Sequence, residues 1–164
     1  NIKSWGSERF SKMGIDVKEW RKQGQHVLIC PPTTYFMRHH KVKSSWADDI
    51  SDLLVKYTDR EIRVRRKPLK GGEGPTLEDD LVNCHAVISH MSNVAVDAVV
   101  KGIPVFVNHN SAAQMVGSIH LNEIESPVIC DREEWLNSLA WNQFSEREIS
   151  SGEVLKIIYM NAFK

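Results

Sequence analysis

The sequence has no excess of either charge. Its 21 Lys and Arg are balanced by 21 Asp and Glu across 164 residues, so no global basic field draws the chain to nucleic acid or to an anionic membrane surface. A local basic patch stays open. Cysteine is scarce as well: Cys30, Cys84 and Cys130 form no CxxC pair. That argues against a disulfide framework or a zinc site and for small thiols buried in a reducing compartment. The apolar runs are strand-sized, too short to cross a bilayer as a helix. The first residues, Asn1-Ile2-Lys3-Ser4-Trp5, show neither a signal-peptide pattern nor an initiator methionine. The expectations are a cytoplasmic location and an internal piece of a longer protein. No internal repeat or low-complexity tract occurs. Gly71-Gly72-Glu73-Gly74 lacks the lysine-serine ending of a phosphate-binding P-loop and opens no GxGxxG helix, so it reads as a flexible loop.

What is present is an ordered alternation of short apolar strands and helices. His26–Cys30 reads as a buried strand stopped by Pro31-Pro32. Residues 44–58 carry Ile50, Leu53, Leu54 and Tyr57 at helical spacing. A strand over 61–65 follows. Thr76 and Asp79 have capping-box spacing, so 76–83 should be a short helix. Further strands are expected at 86–89, 105–107 and 128–130, with helices at 16–22, 93–101, 132–141 and 146–163. This order predicts an α/β fold: a Rossmann-like open parallel sheet of about five strands with helices on both faces. Residues 1–24 read as an entry segment or interdomain linker, and 25–164 as the Rossmann-like domain itself.

Crossovers in such a sheet are right-handed, so the loops after successive strands gather at one carboxyl edge. That edge receives residues 33–43, 66–75, 90–93 and 108–113, where most of the polar, unusual residues lie. The stretch 82–107 is the most informative part of it: a buried strand, a polar turn, a helix and a second strand. Ser92 and Asn93 stand where phosphate would meet backbone N–H groups, although Ser92 is equally a plain helix cap. Asp97 interrupts the apolar Val94, Ala95, Val96, Ala98, Val99 and Val100. A carboxylate in that company needs solvent or a donor. A ribose hydroxyl would serve, as would a salt bridge to Arg65 or Lys67.

Gly102-Ile103-Pro104 ends the helix by architecture alone. Arg65-Arg66-Lys67-Pro68 places positive charge at the same edge, where it would neutralise a diphosphate; Arg66 reads as solvated. Thr33 and Thr34 add hydroxyl donors. His90, beside Ser92, is the histidine best placed to touch a ligand, or is a satisfied turn residue. His39, His40 and His109 lie on the same loops without a third metal ligand at suitable spacing. Glu78-Asp79-Asp80 is first-turn charge on a helix. Trp20, Trp46, Trp135 and Trp141 read as packing residues.

With these residues named, the chain resembles the C-terminal, donor-nucleotide domain of GT-B-fold glycosyltransferases, of the capsular-polysaccharide and phage type. Ser92-Asn93-Val94-Ala95-Val96-Asp97 with Gly102-Ile103-Pro104-Val105 behind it is similar to the serine turn and acidic helix of that superfamily. There the acidic residue lies five positions before the glycine and binds the donor ribose, and Asp97 holds that place. Arg65-x-Lys67-Pro68 resembles the basic or histidine-proline loop that contacts donor phosphate in capsule-type sialyl-, Kdo- and glycerophosphate transferases, with lysine in place of histidine. Leu139 to Phe144, through Glu148 and Gly152, resembles a closing helical segment of phage and capsular members. The resemblance covers the chain from about Gln25 onward. Retaining members carry a second acidic residue eight positions before the first, where this chain has Ser89, which speaks against a retaining two-glutamate mechanism.

The resemblance implies the donor-binding part of a transferase that moves a sugar from a nucleotide-activated donor to an acceptor, a glycan or modified DNA. Its donor-binding residues would be Thr33, Thr34, Arg65, Lys67, His90, Ser92, Asn93 and Asp97. The catalytic base would come from an N-terminal acceptor domain in the full-length protein. No cofactor or metal is expected, the nucleotide-sugar being substrate. The alternatives are an enzyme like the nucleotide-sugar 2-epimerases and a non-catalytic nucleotide-binding module.

Overall fold

The computed structural model describes residues 6–67 and 74–162. Along the chain run α1 (Glu8–Lys12), β1 (His26–Cys30), α2 (Thr34–His39), α3 (Trp46–Leu54), β2 (Glu61–Val64), α4 (Leu77–Leu81), β3 (Cys84–Ser89), α5 (Val94–Val100), β4 (Val105–Val107), α6 (Glu133–Trp141), α7 (Glu146–Ser150) and α8 (Glu153–Ala162). Single 3-10 turns occupy Gln114–Val116 and Leu121–Glu123. The chain divides into two compact units, Asp16–Cys130 and the described residues of Asn1–Ile15 with Asp131–Lys164.

The larger unit holds a wholly parallel sheet in the order β2-β1-β3-β4. It is α/β and broadly Rossmann-like, with four strands among the described residues where about five were expected. Every residue of β1, β3 and β4 is buried, which is what strands covered on both faces require. Alternation sorts them. Val27, Ile29, Ala86, Ile88 and Phe106 join Ala47 and Leu54 of α3 in one core, with Trp46 and Ile50 packed against it. Their neighbours Leu28, Val87 and Val105 point to the opposite face, and Ala95, Ala98 and Val99 of α5 are buried where that helix packs on β3 and β4. Each fully buried large side chain contributes about 1.5–3 kcal/mol of transfer free energy. The capping box of α4 is present as the sequence predicts: Thr76 Oγ1 accepts from the Asp79 amide at 3.2 Å, and Asp79 accepts from the Thr76 amide at 2.8 Å.

Three expectations need correction. Residues 16–22 are not helical. They run as an extended strap whose amides serve other elements: Lys18 N–H donates to Val100 O at 2.9 Å and Arg21 N–H to Gly102 O at 2.6 Å. The Arg21 guanidinium donates to Leu81 O and Cys84 O at 2.8 and 2.7 Å. A helix there would withdraw those donors. Residues 128–130 are not a strand, because the place beside β4 is taken. Val107 N–H donates to Ser118 O at 2.9 Å and Ser118 N–H to Val105 O at 3.0 Å. Val128 and Ile129 are left exposed, and Cys130 O accepts from the Trp20 indole at 2.8 Å. The expected helix over 146–163 is broken into α7 and α8 at Gly152, whose φ is +74°. Cys30 and Cys84 are free thiols, and burial pushes both up to about 12.

In the smaller unit one side chain ties α1 to α6 and α7. Arg9 donates to Ala140 O and Gln143 O, each at 2.5 Å, and to both carboxylate oxygens of Glu148 at 2.5 and 2.9 Å. Its guanidinium also lies over Trp141 and Phe144, 5.8 and 5.2 Å from their centroids. Glu148 closes the α7 capping box with Ser145. Arg9 foremost, then Ser145, hold its carboxyl down to about 2, from 4.5. A depressed carboxylate pKa adds stability that is complete above the unfolded value and fades as pH falls toward the folded one. Thermal melts of Glu148→Gln should therefore lie below wild type at pH 7, and the gap should shrink between about pH 4.5 and 2. A gap independent of pH would show that the charge on Glu148 contributes nothing.

Candidate functional site

The strand order sets where a ligand can enter. The chain leaves β1 for β2 on one side, then crosses back over β1 to reach β3 on the other. Between the carboxyl ends of β1 and β3 the outgoing loops therefore diverge, and such switch points are where open α/β sheets bind ligands. Cys30 and Ser89 are paired at that edge. A cleft of about 190 Å³ lies there, lined by Pro31, Pro32, Thr33, Phe36, Lys67, His90, Met91 and Ser92.

Each wall has a local cause. Pro31-Pro32 cannot continue the ladder of β1, and Thr33 then caps α2, its Oγ1 accepting from the Phe36 amide at 3.3 Å. Phe36 sits one turn on, its ring edge toward His90 at 5.8 Å between centroids. After β3, the Ser92 amide donates to Ser89 Oγ at 3.2 Å, which folds the turn back on the strand end. Ser92 Oγ accepts from the Val94 amide at 3.4 Å, so Ser92 both caps α5 and lines the cleft. His90 O accepts from the Asn108 amide at 3.1 Å.

The His90 ring stands between Phe36 and Trp46, edge-on to each, the second centroid at 6.0 Å. Its Nε2 is 3.4 Å from Asn108 Nδ2. Its Nδ1 is buried with no hydrogen-bond partner. Burial first, and the neighbouring His40 second, lower its pKa below the ordinary histidine value, which favours the neutral ring. Lys67, from the loop after β2, is exposed and is the only charged residue in the lining among the described residues. No hydrogen bond or ion pair engages its ammonium among the described residues. Among the described residues the cleft thus offers one unpaired cation, two hydroxyls and an imidazole, a donor set suited to an anionic oxygen ligand.

Of the sequence-predicted residues, Thr33, Lys67, His90 and Ser92 converge on this cleft. The other four do not line it. Thr34 is exposed on the first turn of α2, and Asn93 is exposed at the start of α5. Arg65 ion-pairs with Asp80 and donates to Pro75 O and Thr76 O at 2.9 and 3.3 Å. It lines a separate cavity of about 330 Å³ with Arg63 and Arg66. Asp97 is exposed on α5 and pairs with neither Arg65 nor Lys67. Desolvation by its neighbours raises its carboxyl pKa, Lys101 opposing and Glu78 adding.

Pro68 and Gly71-Gly72-Glu73 lie outside the described residues. Among those described, no group of three or more His, Cys, Asp or Glu is arranged to hold a metal ion, and no helix is long and apolar enough to cross a membrane. Phe36 and Met91 were missed by the sequence reading. Phe36 had a signal, standing three residues after a capping threonine and so over the same turn; Met91 had none. Comparison of the chain with protein-family models, curated proteins and solved structures gives no match.

Proposed function

We propose that the cleft between β1 and β3 binds the phosphates of a nucleotide-activated sugar and that the chain is the donor-binding part of a glycosyltransferase. The observation that carries this is the meeting of Thr33, Lys67, His90 and Ser92, from the loops after three successive strands, at the switch point of a parallel sheet. Loops placed by the topology rather than by sequence proximity converge only where the fold gathers them. Lys67 neutralises the diphosphate, and the hydroxyls of Thr33 and Ser92 donate to its oxygens. The same contacts stabilise the charge that builds on the leaving nucleotide as the sugar departs. The base that activates the acceptor is supplied by another domain, in keeping with a lining that carries no carboxylate among the described residues.

That lining also favours the second reading, a nucleotide-binding module without chemistry of its own. Turnover distinguishes the two once the rest of the protein is added. For the domain alone, calorimetry with UDP, GDP, ADP, CDP and CMP should give binding to at least one of them, and no binding to any would end both readings. Asp97→Ala is the sharpest companion measurement. A weakened nucleotide with an unchanged melting curve assigns Asp97 to the ribose. Unchanged affinity removes it from the site.

A further inference from the structure

We propose that the cleft is one compartment of a two-part nucleotide site: a second cavity, on the other side of His90, takes the planar base of the nucleotide whose phosphates lie at Lys67. This rests on the nucleotide-binding reading above and adds the part of the ligand that reading leaves unplaced. The second cavity has a volume of about 150 Å³, and both cavities are lined by His90. Neither alone reaches the ~300 Å³ at which ordinary small-molecule sites begin, and the two together do.

The walls differ in chemistry. The first compartment holds Lys67 and the hydroxyls of Thr33 and Ser92. The second is built from Trp46 and Ile50 of α3, Phe106 at the floor and Ile119 at the rim, with Ser89 and Asn108 as its polar groups. An apolar wall with a half-buried indole suits a flat π-face. Asn108, with donor and acceptor on one amide, and Ser89 match the ring nitrogens and exocyclic groups at the edge of a heteroaromatic base. A sugar would set its hydroxyls against the apolar wall, and an alkyl chain would gain nothing from Asn108 or Ser89. Their side-chain oxygens accept from the Asn110 and Ser92 amides at 3.4 and 3.2 Å and keep further hydrogen-bonding capacity. His90, held edge-on to Trp46 at 6.0 Å and to Phe36 at 5.8 Å, forms the partition. The join between base and phosphates would pass over the accessible part of this half-buried ring. A bound nucleotide would span from α3 across β3 to the loop after β2.

The test compares inorganic pyrophosphate with UDP and ADP by calorimetry on the whole chain. The expected result is at least one nucleoside diphosphate binding about tenfold or more tighter than pyrophosphate, a difference of ~1.4 kcal/mol. Ile119→Trp, which fills the second cavity from its exposed rim, should bring that nucleotide down to the pyrophosphate level and leave pyrophosphate itself unchanged. Pyrophosphate that binds as well as every nucleotide overturns the base compartment and leaves the phosphate reading standing. An affinity gap that survives Ile119→Trp overturns it too. Binding of nothing overturns both readings. Should Ile119→Trp not fold, nucleotide quenching of indole emission decides the matter: it should be lost in Trp46→Phe and kept in Trp141→Phe, and quenching that persists in Trp46→Phe sinks the proposal.

Discussion

Gly102→Ala is expected to destabilise the Asp16–Cys130 unit by about 3–5 kcal/mol, a large share of the ~5–15 kcal/mol that holds an ordinary domain together. Two costs add at this position. Gly102 has φ +74°, a conformation an alanine adopts at a cost of roughly 1–2 kcal/mol. A Cβ would also stand 2.0 Å from Glu19 O, 2.8 Å from Glu19 C and 3.0 Å from Lys18 O. These are backbone atoms, so no rotamer change relieves the contact. The strap they belong to would have to move off α5, breaking the bonds from Lys18 N–H to Val100 O and from Arg21 N–H to Gly102 O. Gly152 supplies the control. It has the same φ of +74° and nothing within 4 Å of its would-be Cβ, so Gly152→Ala should cost the conformational term alone. Urea unfolding of both variants separates the contributions. Equal losses would mean that the strap does not press on Gly102.

The same glycine shows how far the fold was legible. Read in sequence, Gly102-Ile103-Pro104 predicts a helix end, and Gly102 N–H indeed donates to Val99 O at 3.0 Å and Ile103 N–H to Ala98 O at 2.8 Å. The second demand on Gly102 comes from residues more than eighty positions earlier, and no local pattern carries it. Residues 16–22 illustrate the converse. Their composition allows a helix, but the free carbonyls at the end of α5 claim their amides, and tertiary hydrogen bonds override local preference. Strands β1, β3 and β4 were legible because burial on both faces leaves near-continuous apolar runs. The missing fifth strand failed on competition: Val128-Ile129-Cys130 has the composition of a strand, yet Ser118 already occupies the outer edge of β4.

The site divides along similar lines. Thr33, Lys67, His90 and Ser92 were found because each lies within three residues of a strand's end or a proline stop, so topology alone brings them to one edge. Arg65 stands only two positions before Lys67, but it is drawn into an ion pair with Asp80 of α4, a partner fifteen residues on that only the packing of α4 supplies. Trp46 reads from sequence as a packing residue and Phe106 only as part of the strand over 105–107. Their second role, as walls of a cavity, follows from where α3 crosses the sheet edge, which hydrophobic spacing does not encode.

Lys67→Glu is expected to weaken nucleoside diphosphate binding about a hundredfold, ~3 kcal/mol, with an unchanged melting curve. The size follows from charge: the cleft loses the one cation among its described residues and gains an anion facing the phosphates. Stability should not follow, because Lys67 is exposed and no described residue holds its ammonium. Arg66→Glu makes the same change of charge one residue away, where the side chain is exposed and lines the other cavity. If the cleft is a site, Arg66→Glu should alter affinity by no more than a few-fold, an effect that ~0.5 M salt screens out. Lys67→Arg, which keeps the charge and changes its geometry, should fall between the two. Losses of equal size in Lys67→Glu and Arg66→Glu would reduce the cleft to a patch of general positive potential. An unaltered affinity in Lys67→Glu, with nucleotide still bound, would move the phosphates elsewhere on the carboxyl edge. The cavity of Arg63, Arg65 and Arg66 would then be the next place to look, since its arginines already stand in one wall and Arg66 has no described partner.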